Sequence, residues 1–141
     1  MLCIGESSNF AIEELELPVT NVLKEVKNTD FVCPGSTLHV NVHDHPLSWG
    51  IQKDLMIIFR HHPAFVIKPR ANNEDYKVIL SYPEKYIMES GWLTGEKYLS
   101  HKAAMIEARI GNGRVILYGF QPQMRAQSDA TFKLLFNALL G

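Results

Sequence analysis

Two apolar-rich runs, Ala103 to Ile110 and Arg114 to Phe120, are joined by Gly111-Asn112-Gly113. No other stretch narrows the fold as much. Glycines accept the positive φ values that a tight reversal needs, so the link predicts a hairpin. From Ser128 or Asp129 to Leu140 the chain then reads as one amphipathic helix. Phe132, Leu135, Phe136 and Leu139 fall at i, i+3, i+4 and i+7, the spacing of one helical face. Asp129 is placed to cap this helix and Gly141 to end it.

Upstream the signals are weaker. Leu2-Cys3-Ile4 reads as the end of a buried strand, which predicts that further chain belongs before Met1. Ser8 or Asn9 is placed to cap a short helix through Phe10 to Leu15, and Pro18 marks a break. Val19, Val22, Leu23 and Val26 sit at helical spacing and predict a second turn or short helix. Phe31 to Gly35 is a loop. Thr37 to Val42 alternates, with Leu38, Val40 and Val42 on one face of a half-buried strand. Leu55 to Phe59, Ala64 to Ile67 and Tyr76 to Tyr82 are further strands, the last ended by Pro83. His43 to Gly50, Asn72 to Asp75 and Ser90 to Gly95 read as polar or glycine-bracketed loops.

Bulk properties exclude some classes. The chain has 141 residues, enough for one domain with a real core. Its net charge is −1 and it has no basic stripe, so nothing favours nucleic-acid binding. No apolar stretch approaches the roughly 20 residues of a membrane-spanning helix. The start, Met-Leu-Cys-Ile-Gly-Glu, has no basic segment of the kind that opens a signal peptide. Cys3 and Cys33 read as two small buried residues rather than a disulfide framework.

His43 and His45 would share a face on a strand, and His61-His62 form a second pair. A zinc site needs three or four converging ligands, and the chain contains no H-x-x-E or H-E-x-x-H pattern, so loop histidines are the expectation. A nucleophilic hydrolase needs an elbow of the G-x-C-x-G or G-x-S-x-G type, and neither cysteine lies in one. Arg125 is read as organising a loop through its planar fork. Trp49 and Trp92 are expected to pack over the sheet edge.

Directly after Val115-Ile116-Leu117-Tyr118 the chain reads Gly119-Phe120-Gln121-Pro122-Gln123. This resembles the strand-end signature Phe-His-Pro-Glu of class I glutamine amidotransferases, in which the His and Glu complete a Cys-His-Glu triad. Here the two positions are Gln121 and Gln123, and an amide takes up no proton near neutral pH. More of the chain is similar to the amidotransferase-like domain at the C-terminus of certain bacterial zinc carboxypeptidase-family proteins. The resemblance runs through residues 111–127 and 131–140, with Ala11-Ile12-Glu13, Leu17-Pro18-Val19, Cys33-Pro34-Gly35-Ser36, His45-Pro46-Leu47 and Ser90-Gly91-Trp92-Leu93. The chain departs from it at Gln121, where Arg is usual, and at Met124, where an aromatic is usual.

The resemblance implies an α/β fold, the C-terminal portion of a flavodoxin-like, class I amidotransferase-like domain spanning 1–141 and lacking its N-terminal half. It implies a non-catalytic accessory domain with a degenerate triad at Gln121 and Gln123, and a structural loop of Gly119, Phe120, Pro122 and Arg125. It places zinc in an upstream peptidase domain, not in this chain, and the parent protein in the periplasm or outside the cell. A remnant hydrolase and a self-associating module, in which a second copy supplies the missing half-sheet, are the alternatives.

Overall fold

A computed structural model describes residues 2–27, 29–51, 54–60, 63–68, 75–120 and 129–140. At 54, 129–132, 136 and 140 it describes the backbone alone. In chain order the elements are β1 (Leu2–Ile4), α1 (Ser7–Glu14), β2 (Val19–Asn21), β3 (Ser36–Val42) and β4 (Asp54–Phe59). There follow β5 (Phe65–Ile67), β6 (Tyr76–Ser81), β7 (Met88–Ser90), β8 (Ala103–Ile110), β9 (Gly113–Tyr118) and α2 (Asp129–Leu140). Short 3-10 turns lie at Pro46–Ser48 and Glu96–Tyr98.

The expected hairpin is the β8–β9 ladder, closed by the pair Ile110↔Gly113. Gly111 takes φ 57° at the first turn position, where a side chain would be strained. From this ladder the strands spread in the order β1-β9-β8-β6-β3-β4. Among the described residues only β1 and β9 run parallel, with Cys3 opposite Leu117; the other pairs are antiparallel. β5 joins β8 at Phe65↔Ala103 and carries β2, and β7 extends along β3 beyond β6. The fold is mixed α/β: an open, mostly antiparallel sheet with few helices.

The two ends of the sheet are covered differently. β8 is buried from Ala103 to Ala108 and β9 from Val115 to Tyr118, because both faces there are packed. Beneath α1, Cys3, Ala11, Leu17, Ile106, Val115 and Leu117 form one core. On the opposite face Met105, Ile116 and Tyr118 join Leu38, Val40, Ile57 and Phe59 under Leu134 and Ala138 of α2. β3 and β4 alternate instead. Leu38, Val40, Leu55, Ile57 and Phe59 are buried, while Asn41 and Met56 face outward. Each fully buried Leu, Ile or Phe contributes roughly 2 kcal/mol.

Several expectations are corrected. α1 begins at Ser7 and no side chain caps it; the Ser8 hydroxyl donates instead to the Cys3 carbonyl at 2.9 Å. Val19 to Val26 is not helical. It forms β2 and then turns, because the Asn21 carboxamide oxygen accepts the Leu23 N–H at 3.1 Å and the Ala64 N–H at 3.3 Å. This side-chain acceptor offers the backbone an alternative to the helix. Ser90, expected in a loop, ends the strand β7. Among the described side chains α2 turns a different face inward than expected, with Leu135 half-buried. Leu134 and Ala138 are buried and Leu139 is 62% exposed. This facing is set by the sheet: the Tyr118 hydroxyl donates to the Leu134 carbonyl at 3.2 Å, and Arg114 Nη2 to the Ala138 carbonyl at 2.9 Å. The side chains of Phe132, Phe136 and Asp129, and Gly141, lie outside the described residues.

Two glycines separate steric from conformational cost. A Cβ on Gly119 would overlap the Pro63 carbonyl oxygen and come within 3.0 Å of that of Ala104, whereas one on Gly111 meets nothing within 4 Å. Gly119→Ala should therefore destabilise by about 2 kcal/mol through overpacking. Gly111→Ala should cost about 1 kcal/mol from its left-handed backbone alone. Urea unfolding midpoints of the two variants check this order.

Candidate functional site

Ligands of open α/β sheets bind outside the carboxyl ends of parallel strands. In this fold that place is where β1 and β9 end side by side. The Gly5 N–H donates to the Tyr118 carbonyl at 2.9 Å, and the Gly119 N–H to the Ala104 carbonyl at 2.7 Å. Gly5 takes φ 60°. Beside this end lies an amide chain. Asn21 Nδ2 donates to Asn9 Oδ1 at 2.9 Å, and Asn9 Nδ2 donates to Glu6 Oε2 at 3.1 Å. A pocket of about 240 Å³ opens next to it, lined by Asn9, Ile12, Glu13, Asn21 and Lys24 among others.

Of the strand-end residues singled out in the sequence, Gly119 sits in the crowded space between Pro63 and Ala104. Phe120 is fully buried and meets the Tyr118 ring edge-on at 5.7 Å. Gln121, Pro122, Gln123 and Arg125 lie outside the described residues. His61 and His62 do as well.

Both cysteines are buried and free, as expected. Burial pushes the Cys3 and Cys33 thiols above their ordinary value. The Cys33 sulfur faces the Phe59 carbonyl at 3.9 Å. A thiol held in this form is a poor nucleophile, because the thiolate is the reactive species.

The sequence reading missed a charged cluster within the β8–β9 ladder. Glu107 is 2% exposed in the middle of β8. Arg114 Nη1 donates to its Oε2 at 3.2 Å, Arg109 Nε lies 3.6 Å from Oε1, and His45 Nε2 lies 3.3 Å from Oε1. The signal was present: a carboxylate interrupts the apolar run Ala-Ala-Met-Ile-Glu-Ala. His45 also caps the Pro46–Ser48 turn, its Nδ1 accepting the Leu47 N–H at 3.0 Å. That bond leaves the proton on Nε2, pointing at Glu107. Neither ring nitrogen is left to take a proton from a substrate. The arrangement therefore ties the loop, the hairpin and α2 together rather than forming a base with its orienting acid.

His43, by contrast, pairs with the Ser81 hydroxyl at 2.8 Å, so the two loop histidines are held by different groups. Among the described residues no three His, Cys, Asp or Glu side chains converge on a common point. The tryptophans differ from expectation. Trp49 is 73% and Trp92 65% exposed. Asn137 Nδ2 holds the backbone carbonyls of Leu47 and Trp49 at 3.0 and 3.1 Å, leaving the Trp49 ring outward with Lys133 Nζ 5.4 Å from its centroid. The Trp92 backbone is pinned through Ser36, whose hydroxyl accepts its N–H at 2.9 Å and donates to its carbonyl at 2.7 Å.

No known family model matches the chain, and no curated protein matches it significantly. No helix among the described residues is long and apolar enough to cross a membrane.

Burial pulls the His45 imidazole below its ordinary value, against the opposing pull of Glu107, with Arg109 and Arg114 adding to the lowering. The folded protein then binds fewer protons than the unfolded chain once pH falls below the ordinary histidine value of about 6.5. His45 should cost nothing above that pH and progressively destabilise the fold below it. Melting curves of the wild type and of His45→Gln should converge in slope above neutrality and diverge between about pH 6.5 and 5. The thiols give a second check. Iodoacetamide should label Cys3 and Cys33 slowly in the native protein and fully after urea unfolding, read by mass spectrometry.

Proposed function

We propose that the chain is a non-catalytic accessory domain of a zinc carboxypeptidase-like protein, built on the C-terminal portion of a flavodoxin-like, class I amidotransferase-like domain. The observation that carries this reading is the state of the would-be catalytic groups. The positions that resemble the triad's His and Glu are the amides Gln121 and Gln123, and both thiols are buried with their pKa values raised. Neither a base nor an activated nucleophile is supplied at the strand end. The parallel β1–β9 pair, with the helix α2 following β9 in the chain, is in keeping with this reading. Zinc would belong to the attached peptidase domain, and the parent protein to the periplasm or the exterior, as the resemblance implies. The exposed Trp49 and Trp92 offer aromatic anchors to that domain, since tryptophan is enriched at binding hot spots.

The test is an assay of ammonia release from glutamine and of C-terminal residue release from peptides. Neither should exceed the buffer rate. Ammonia release that disappears in Cys3→Ala or Cys33→Ala would instead establish the remnant hydrolase.

A further inference from the structure

The sheet ends at β4, and the described residues pair it on one side only. Which backbone groups face outward follows from the register. The His39 N–H donates to the Ile87 carbonyl and the His43 N–H to the Ile79 carbonyl, both away from β4. Odd positions of β3 thus turn toward β6 and β7, and its even positions bond to β4. Leu38 is opposite Ile57 and Val40 opposite Leu55. Leu55, Ile57 and Phe59 therefore spend their backbone groups on β3, while Asp54, Met56 and Ile58 present theirs outward.

Beyond Asp54 at its first position, this edge lacks the usual protection. Residues 55–59 read Leu-Met-Ile-Ile-Phe, with no lysine, proline or bulge, and Met56 is 44% exposed. Natural edge strands carry such features to prevent pairing. The strand is also complementary to itself. In an antiparallel pairing centred on Ile57, residue i meets residue 114 − i of a second copy. Met56 then meets Ile58 and Leu55 meets Phe59. Asp54 meets Arg60, twice by symmetry. The outward-facing positions 54, 56 and 58 fall in register for a hydrogen-bonded antiparallel ladder, with Arg60, the residue directly after β4, opposite Asp54. Shifting the centre to Met56 or Ile58 keeps the bonds but loses the opposed charges.

We propose that β4 is a homotypic docking edge, through which two copies of this chain join their sheets by antiparallel pairing of residues 54–60 about Ile57. The interface is isologous, so it closes as a dimer. It lies at the opposite side of the sheet from β1 and stands independently of the accessory reading above.

Sedimentation velocity at micromolar concentration, with thermal melting as a fold control, tests this. The wild type should sediment as a dimer. Met56→Pro removes an outward N–H that β3 does not use, so it should give a monomer with near-native melting. Asp54→Arg opposes like charges twice and should raise the dissociation constant about tenfold. Asp54→Arg with Arg60→Asp should restore dimerisation. Ile58→Lys, a substitution on the outward face, keeps the test decisive if the proline variant unfolds; it too should be monomeric. A wild type that stays monomeric overturns the proposal, including the case where β4 pairs only with a strand of a different protein. A dimer indifferent to Met56→Pro, Ile58→Lys and the charge exchange overturns it also, and assigns association to another surface.

Discussion

Nearly every other element takes its position from the β8–β9 ladder. β9 receives β1 on its free side, and β8 carries β6 and the start of β5 on its own. The same ladder sets the rotation of α2, through Tyr118 to the Leu134 carbonyl and Arg114 to the Ala138 carbonyl. The second bond places a guanidinium against the last turn of the helix, where the aligned peptide dipoles favour positive charge. The ladder is local in sequence, closed by a two-residue turn, so its loop-closure cost is small. Long-range pairs such as Leu2 with Ile116 can then form on an existing template.

The ladder also carries a buried charge, the one charged side chain buried among the described residues. A carboxylate as buried as Glu107 costs several kcal/mol unless it is compensated. Compensation comes from both strands of the ladder, in Arg109 and Arg114, and from a distant loop through His45. That demand explains why the loop after β3 is held firmly although it is polar and rich in Pro and Gly. His45 caps the Pro46–Ser48 turn with one nitrogen and meets Glu107 with the other. Asn137 of α2 then secures the following carbonyls. The exposure of Trp49 is a consequence of this anchoring: the backbone is fixed, so the ring projects.

Legibility followed the locality of the cause. The alternation in β3, the hairpin and the span of α2 were readable because side-chain period and turn chemistry act over a few residues. The apparent helix at Val19–Val26 failed because its competitor was a tertiary hydrogen bond, from Ala64 to Asn21, that no local pattern records. The helix face failed for a related reason. Both Leu134 and Leu139 are apolar, and only the bonds from Tyr118 and Arg114 decide which of them is buried. At the candidate site, the burial of Cys3 and Cys33 was legible. The convergence of His45, Glu107, Arg109 and Arg114 was not, because His45 is 62 positions from Glu107 in the chain.

By itself the sequence determined the hairpin, the span of α2 and the absence of acid–base side chains at 121 and 123. These depend on residue chemistry and short-range spacing. Tertiary structure alone decided that β1 and β9 run parallel and that a carboxylate lies buried within the ladder. It also decided that β4 ends the sheet among the described residues, with the backbone groups of Asp54, Met56 and Ile58 turned outward. Strand order and backbone direction are set by which residues meet across the whole chain, and no window of sequence contains both partners.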